Sequence, residues 1–87
     1  RRVFRGEAEI TLTARELAVL DFLLRRRGEV VTKREVISNV WGDDFDGDAN
    51  IVEVYVGHLR GKIDRPFGRE AIETVRGAGY RLAVGGG

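Results

Sequence analysis

Asn50-Ile-Val-Glu-Val-Tyr-Val-Gly-His-Leu-Arg-Gly-Lys-Ile-Asp64 is the stretch whose reading decides the fold. Laid out at about 100° per residue, it sets Val52, Val56, Leu59 and Ile63 on one side, the spacing of a buried helical stripe. The other side carries Asn50, Val54, Gly57, His58 and Gly61, with Ile51 and Lys62 on one shoulder and Arg60 on the other. An ordinary surface helix fills its outer face with Glu, Lys and Gln. This one presents a bare Val, two Gly and a His beside cations, which suits a face pressed against a polyanion. The spacing predicts one continuous helix over 50–64.

Upstream, Thr32-Lys-Arg-Glu35 is a capping box: the hydroxyl takes a backbone N–H and the Glu reaches back. It opens a helix to about Trp41, with Val36, Ile37, Val40 and Trp41 as the apolar stripe. A lone Trp at helical spacing usually packs, so Trp41 is expected in the core or at its rim. Thr13-Ala-Arg-Glu16 is a second capping box. Its helix, to about Arg27, directs Leu17, Leu20, Leu23 and Leu24 inward. Arg25-Arg26-Arg27 suit the negative end of the helix dipole, and Gly28 supplies the stop. Two capped helices, a loop and the long helix form a three-helix unit of helix-turn-helix type over 13–64.

Downstream, Arg65-Pro-Phe-Gly68 reads as a turn. Ile72–Val75 and Tyr80–Leu82 alternate as strands around Arg76-Gly-Ala-Gly79, a hairpin within 65–84. At the other end, Val3-Phe4 and Ile10-Leu12 flank Gly6-Glu7, predicting a short hairpin within 1–12. Starting in mid-strand at Arg1, the chain suggests a piece of something longer. Gly85-Gly86-Gly87 has nothing to bury. The fold class is therefore α+β, one domain over 1–87.

At 87 residues the chain suffices for one small core. An apolar share of 43% and a charged share of 33% fit a folded protein rather than a disordered one. No apolar run approaches the roughly 20 residues that span a membrane. The absence of Cys excludes disulfides and thiolate zinc sites and is compatible with a reducing cytoplasm. A net charge of +1 conceals an uneven distribution: four Asp fall between Asp43 and Asp48, whereas 58–81 is rich in Arg. One His, no Cys and no Ser–His–Asp grouping suggest no catalytic constellation and no cofactor.

The strings LTARELAVLDFLL, GEVVTKREVISNVWG, NIVEVYVGHLRGKID and IETVRGAGYRL together resemble the OmpR/PhoB-type DNA-binding domain of bacterial two-component response regulators. The likeness runs from Ile10 to Leu82, and the last string is its most specific part. It implies a winged helix-turn-helix behind an N-terminal antiparallel sheet, of which this chain holds the last hairpin. It also implies a preceding receiver domain, whose phosphorylatable Asp this chain lacks, and a sensor kinase. The helix at Asn50 would enter the major groove of double-stranded DNA, and the Arg76 hairpin the adjacent minor groove. Head-to-tail homodimers would sit on direct repeats. The loop over 41–49, with Asp43, Asp44, Phe45 and Asp46, would face RNA polymerase or cross the DNA backbone. Asn50, Val54, Tyr55, His58 and Arg60 match DNA-touching helix positions, and Thr74 and Arg76 match wing positions. Gly57 and Gly61 stand where the family often has cationic or polar side chains, and His58 where Arg is common.

From the residues themselves, Val54 offers methyl groups to a thymine methyl, or is one of the exposed apolar residues any surface carries. The Tyr55 ring can pack, leaving its hydroxyl for a phosphate. Arg60 and Lys62 are expected at phosphates, Arg76 in a narrow minor groove, and Glu53 as a capping partner of Asn50. With Arg60, Lys62, Arg76 and Arg81 each neutralising a phosphate, log K against log[salt] would have a slope near −4, at ~0.9 per contact. Two other readings stay open. One is a winged helix that meets protein. The other is a calcium-responsive loop, because Asp44, Asp46, Gly47 and Glu53 fall at the third, fifth, sixth and twelfth EF-hand places. Its first place would be Gly42 rather than Asp.

Overall fold

Two threonines start the helices they were expected to start. In the computed structural model, which describes residues 2–87, the Thr13 Oγ1 accepts from Glu16 N and Thr13 N donates to the Glu16 carboxylate. Thr32 and Glu35 repeat the arrangement. Helix α1 accordingly runs Ala14–Arg25 and α2 runs Lys33–Val40. Before them, β1 (Val3–Arg5) and β2 (Ala8–Ile10) form the N-terminal hairpin around Gly6-Glu7. The strand start expected at Arg1 lies outside the described residues.

The decisive stretch is not one uniform helix. Helix α3 spans Ile51–Leu59, and the chain then widens into a π-helical turn, Arg60–Asp64, and a 3-10 turn, Arg65–Phe67. Val52, Val56, Leu59 and Ile63 are buried, at 5% exposure or less, as their spacing required. The widened turn also carries the adjacent Asp64 inward, to 3% exposure. Its carboxylate accepts the amides of Ala71 and Ile72 at 3.0 and 3.3 Å. Those hydrogen bonds satisfy a buried charge and fasten the start of β4 (Ile72–Val75) to the end of the helix.

Strand β5 (Gly79–Leu82) pairs antiparallel with β4, opposing Ile72 to Leu82 and Val75 to Gly79. A short strand that periodicity had not revealed, β3 (Val30–Val31), pairs with the other edge of β5, so the sheet order is β3-β5-β4. A Cβ on Gly79 would fall 1.9 Å from the Val31 carbonyl oxygen. Glycine there is a condition of β3 reaching the wing.

Val19, Leu20, Phe22 and Leu23 of α1, Val36 of α2, the α3 stripe, Ile72, Tyr80 and Leu82 form the core. Truncating one of its large members, Leu59→Ala for instance, would cost roughly 2–5 kcal/mol. Leu24 departs from expectation. It is 43% exposed, on an open groove that the β1–β2 hairpin and the Ala83–Val84 segment line without closing. Trp41 does occupy the core rim, against the buried cluster. Three helices with a C-terminal β-hairpin beside the third make a winged helix-turn-helix of α+β class. No helix among the described residues is long and apolar enough to cross a membrane.

Candidate nucleic-acid interface

Between α3 and the β4–β5 hairpin lies an open cleft of about 780 Å³. Gly57, Glu53 and Arg60 line it from the helix, and Thr74, Arg76 and Gly77 from the hairpin. Lys33 and Arg34 line it from the start of α2, and Arg65 from the 3-10 turn. Gly57 faces open space: a Cβ built there meets nothing within 4 Å. A Cβ on Gly61 would meet the Arg65 guanidinium at 3.4 Å, ordinary contact with a flexible side chain. Val54, 48% exposed, and His58 stand on the open face of α3.

The helix cations are placed differently from the sequence expectation. Arg60 folds onto the hairpin, donating to the Ile72 carbonyl and to Thr74 Oγ1. Lys62 turns the other way and donates to Glu16 at 2.6 Å. Arg81 pairs with Glu73 at 2.9 Å. Of the four cations assigned to phosphates, only Arg76, exposed at the hairpin turn, makes no hydrogen bond or ion pair among the described residues. The side chains of Arg34 and Arg65 likewise have no hydrogen-bond or ion-pair partner among the described residues, and both line the same cleft. The sequence reading passed them over, because neither lies on the outer face of the α3 pattern.

Glu53 is no capping partner of Asn50. It ion-pairs with Lys33, a contact that raises the Lys33 pKa. The amide of Asn50 is instead held by Asp48 Oδ1, at 2.9 Å. Tyr55 packs edge-on against Trp41 (centroids 5.4 Å apart) and lies 5.4 Å from the His58 ring. Phe45 continues the series on the far side of Trp41 at 6.0 Å, and the Arg15 guanidinium covers that indole. This aromatic row ties the acidic loop to α3 while Asp43, Asp44 and Asp46 remain exposed. No three acidic or histidine side chains among the described residues gather into a metal-holding cluster.

Beneath the interface, Glu16 is 4% exposed. Burial pushes its pKa up, but hydrogen bonds from Lys62 and the Thr13 amide outweigh that and leave it below the ordinary 4.5. His58 Nδ1 lies 3.5 Å from the same carboxylate.

The geometry is that of a helix and a wing flanking a cationic cleft, and the sequence family that matches residues 6–82 is described as transcriptional regulatory protein, C terminal. The chain belongs to this family. TcrA of Mycobacterium tuberculosis is 46% identical over 86 residues, 99% of this chain and 34% of TcrA. CusR of Escherichia coli is 48% identical over 84 residues, 97% of this chain and 37% of CusR. The chain thus spans about a third of the length of these curated relatives. Among solved structures, the Klebsiella pneumoniae RstA DNA-binding domain in complex with the RstA box superimposes with a TM-score of 0.83 at 28% identity. That match covers 95% of this chain and 83% of the RstA domain. The winged-helix response-regulator architecture is common to both.

Proposed function

We propose that this domain is the sequence-specific DNA-binding effector of a response regulator, with the open face of α3 in the major groove and the Arg76 turn in the adjacent minor groove. The observation that carries this reading is the cleft between helix and wing, lined by Arg34, Arg65 and Arg76, whose side chains have no hydrogen-bond or ion-pair partner among the described residues. Glu53, the cleft's helix carboxylate, is already neutralised by Lys33. Asn50, Val54, Gly57 and His58 meet bases or the groove floor, while Tyr55 contributes at most its hydroxyl. Thr74 supports the wing contact. Lys62 and Gly61 border the contact, and Arg60 acts from the wing side.

With three free cations rather than four, the slope of log K against log[salt] is expected near −3, at ~0.9 per neutralised phosphate. The measurement uses a duplex selected from random sequences. A slope indistinguishable from zero overturns DNA binding and leaves the protein-contacting winged helix.

The family resemblance supports further partners: a receiver domain ahead of this one, a sensor kinase, and a second copy on a direct repeat. A cytoplasmic setting follows from the same role. The loop bearing Asp43, Asp44, Phe45 and Asp46 is assigned to RNA polymerase, because its carboxylates repel DNA while the Phe45–Trp41 contact holds it in place. Asp43→Asn with Asp44→Asn is expected to leave operator affinity equal or slightly tighter while reducing transcription. Lost DNA binding with intact folding would refute the assignment.

A further inference from the structure

Arg60 leaves the recognition segment and spends its donors on the wing. Its Nε and Nη2 donate to the Ile72 carbonyl at 3.2 and 2.7 Å, and Nη2 also donates to Thr74 Oγ1 at 2.9 Å. Its guanidinium carbon sits 5.9 Å from the centroid of the Tyr80 ring. The Ile72 amide is held from the same helical segment by Asp64. Both polar groups of the first β4 residue are therefore fixed by side chains four residues apart on the helix end.

We infer that Arg60 is a positioning residue, which sets the separation of wing and helix and aims the Thr74 hydroxyl proton outward at a DNA phosphate. A guanidinium only donates, whereas a threonine hydroxyl has two acceptor lone pairs and one proton. An oxygen already accepting from Arg60 must direct its own O–H elsewhere. Thr74 is exposed, so that direction is open to solvent and to whatever occupies the cleft. A phosphate oxygen offers acceptors only, and a pre-aimed donor loses little freedom on meeting it. Lysine cannot substitute, because a compact ammonium lacks the planar fork that reaches a carbonyl and a hydroxyl together.

The inference rests on the DNA-binding reading, and titration of a selected duplex at several salt concentrations separates the two. A positioning role predicts that Arg60→Ala binds roughly tenfold more weakly, the loss of one charge-assisted hydrogen bond, with the parent's salt slope. Thr74→Val should cost about tenfold in the parent and less than twofold in Arg60→Ala. Thr74→Ser should retain the parent affinity, and Arg60→Lys should not. A slope shallower by about 0.9 in Arg60→Ala would make Arg60 itself a phosphate ligand and overturn the proposal. Equal cost of Thr74→Val in both backgrounds, or full affinity in Arg60→Lys, would overturn it too. Should Arg60→Ala fail to fold, the Arg60→Lys, Thr74→Val and Thr74→Ser proteins decide the question. A parent that binds no duplex removes the DNA reading and this proposal together.

Discussion

The two ends of the Ile51–Asp64 segment are built on opposite plans. Its first half shows Val54, Gly57 and His58 outward and makes few polar ties beyond Glu53–Lys33. Its second half is committed inward: Arg60 to the wing, Lys62 to α1, and Asp64 to the start of β4. The charges at the helix end are engaged within the protein itself. The charged end anchors the segment to the wing and to α1, and the cleft cations whose side chains have no partner among the described residues stand on neighbouring elements.

The sharpest way to break this contrast is Asp64→Ala. Removing the carboxylate strands two buried amides and deprives the nearby Arg5, 3.9 Å away, of its counter-charge. A loss of about 3 kcal/mol in urea unfolding is expected. By contrast, Val54→Ala, on the exposed half, should change stability by less than about 0.5 kcal/mol. If both substitutions cost the same, the two ends do not differ as described.

Next in size is the free wing cation. Arg76→Ala is expected to weaken duplex binding by ~1–3 kcal/mol and to lower the salt slope by about 0.9, with unfolding unchanged. Arg34→Ala and Arg65→Ala should each lower the slope similarly, whereas Lys62→Ala should not. A slope that responds to Lys62 but not to Arg34 or Arg65 would reverse the assignment of cations.

Glu16 tests the inward ties through pH. Its folded pKa lies below its unfolded value, so its contribution is complete above about 4.5 and is lost as pH falls through the folded value. Glu16→Gln keeps an acceptor for the Thr13 amide but loses the charge facing Lys62, a cost of about 1 kcal/mol at neutral pH. The difference in melting temperature between parent and variant should narrow as pH falls below about 4.5. A difference independent of pH would mean that the Lys62 contact contributes nothing through charge.

What was legible beforehand depended on how far apart the partners lie along the chain. The capping boxes join residues three apart, and the buried stripe repeats every turn, so local periodicity exposed both. Lys62–Glu16 spans 46 residues, Lys33–Glu53 spans 20, and Arg60–Thr74 spans 14. No local rule foretells such pairings. The π-helical turn was hidden for a related reason: the pull on Asp64 comes from Ala71 and Ile72, outside any helical window. Strand β3 holds two residues, too few for alternation to show. Leu24 was misread because periodicity identifies an apolar face without saying how much of it a neighbour will cover.

The smallest expected effect probes the neutral half directly. Gly57 costs ~0.8–1 kcal/mol against Ala in a helix interior, and a Cβ there would meet nothing within 4 Å among the described residues. Gly57→Ala should therefore raise stability by about that amount. If the glycine exists so that the helix backbone can sit deep against DNA, the same variant must bind more weakly despite its higher melting temperature. Gly61→Ala serves as the control. It lies in the π-helical turn beside the Arg65 side chain, which can move aside, so binding should hold or tighten. Undiminished affinity in Gly57→Ala would remove close approach as the reason for glycine, leaving Val54 and His58 as the features that distinguish this face.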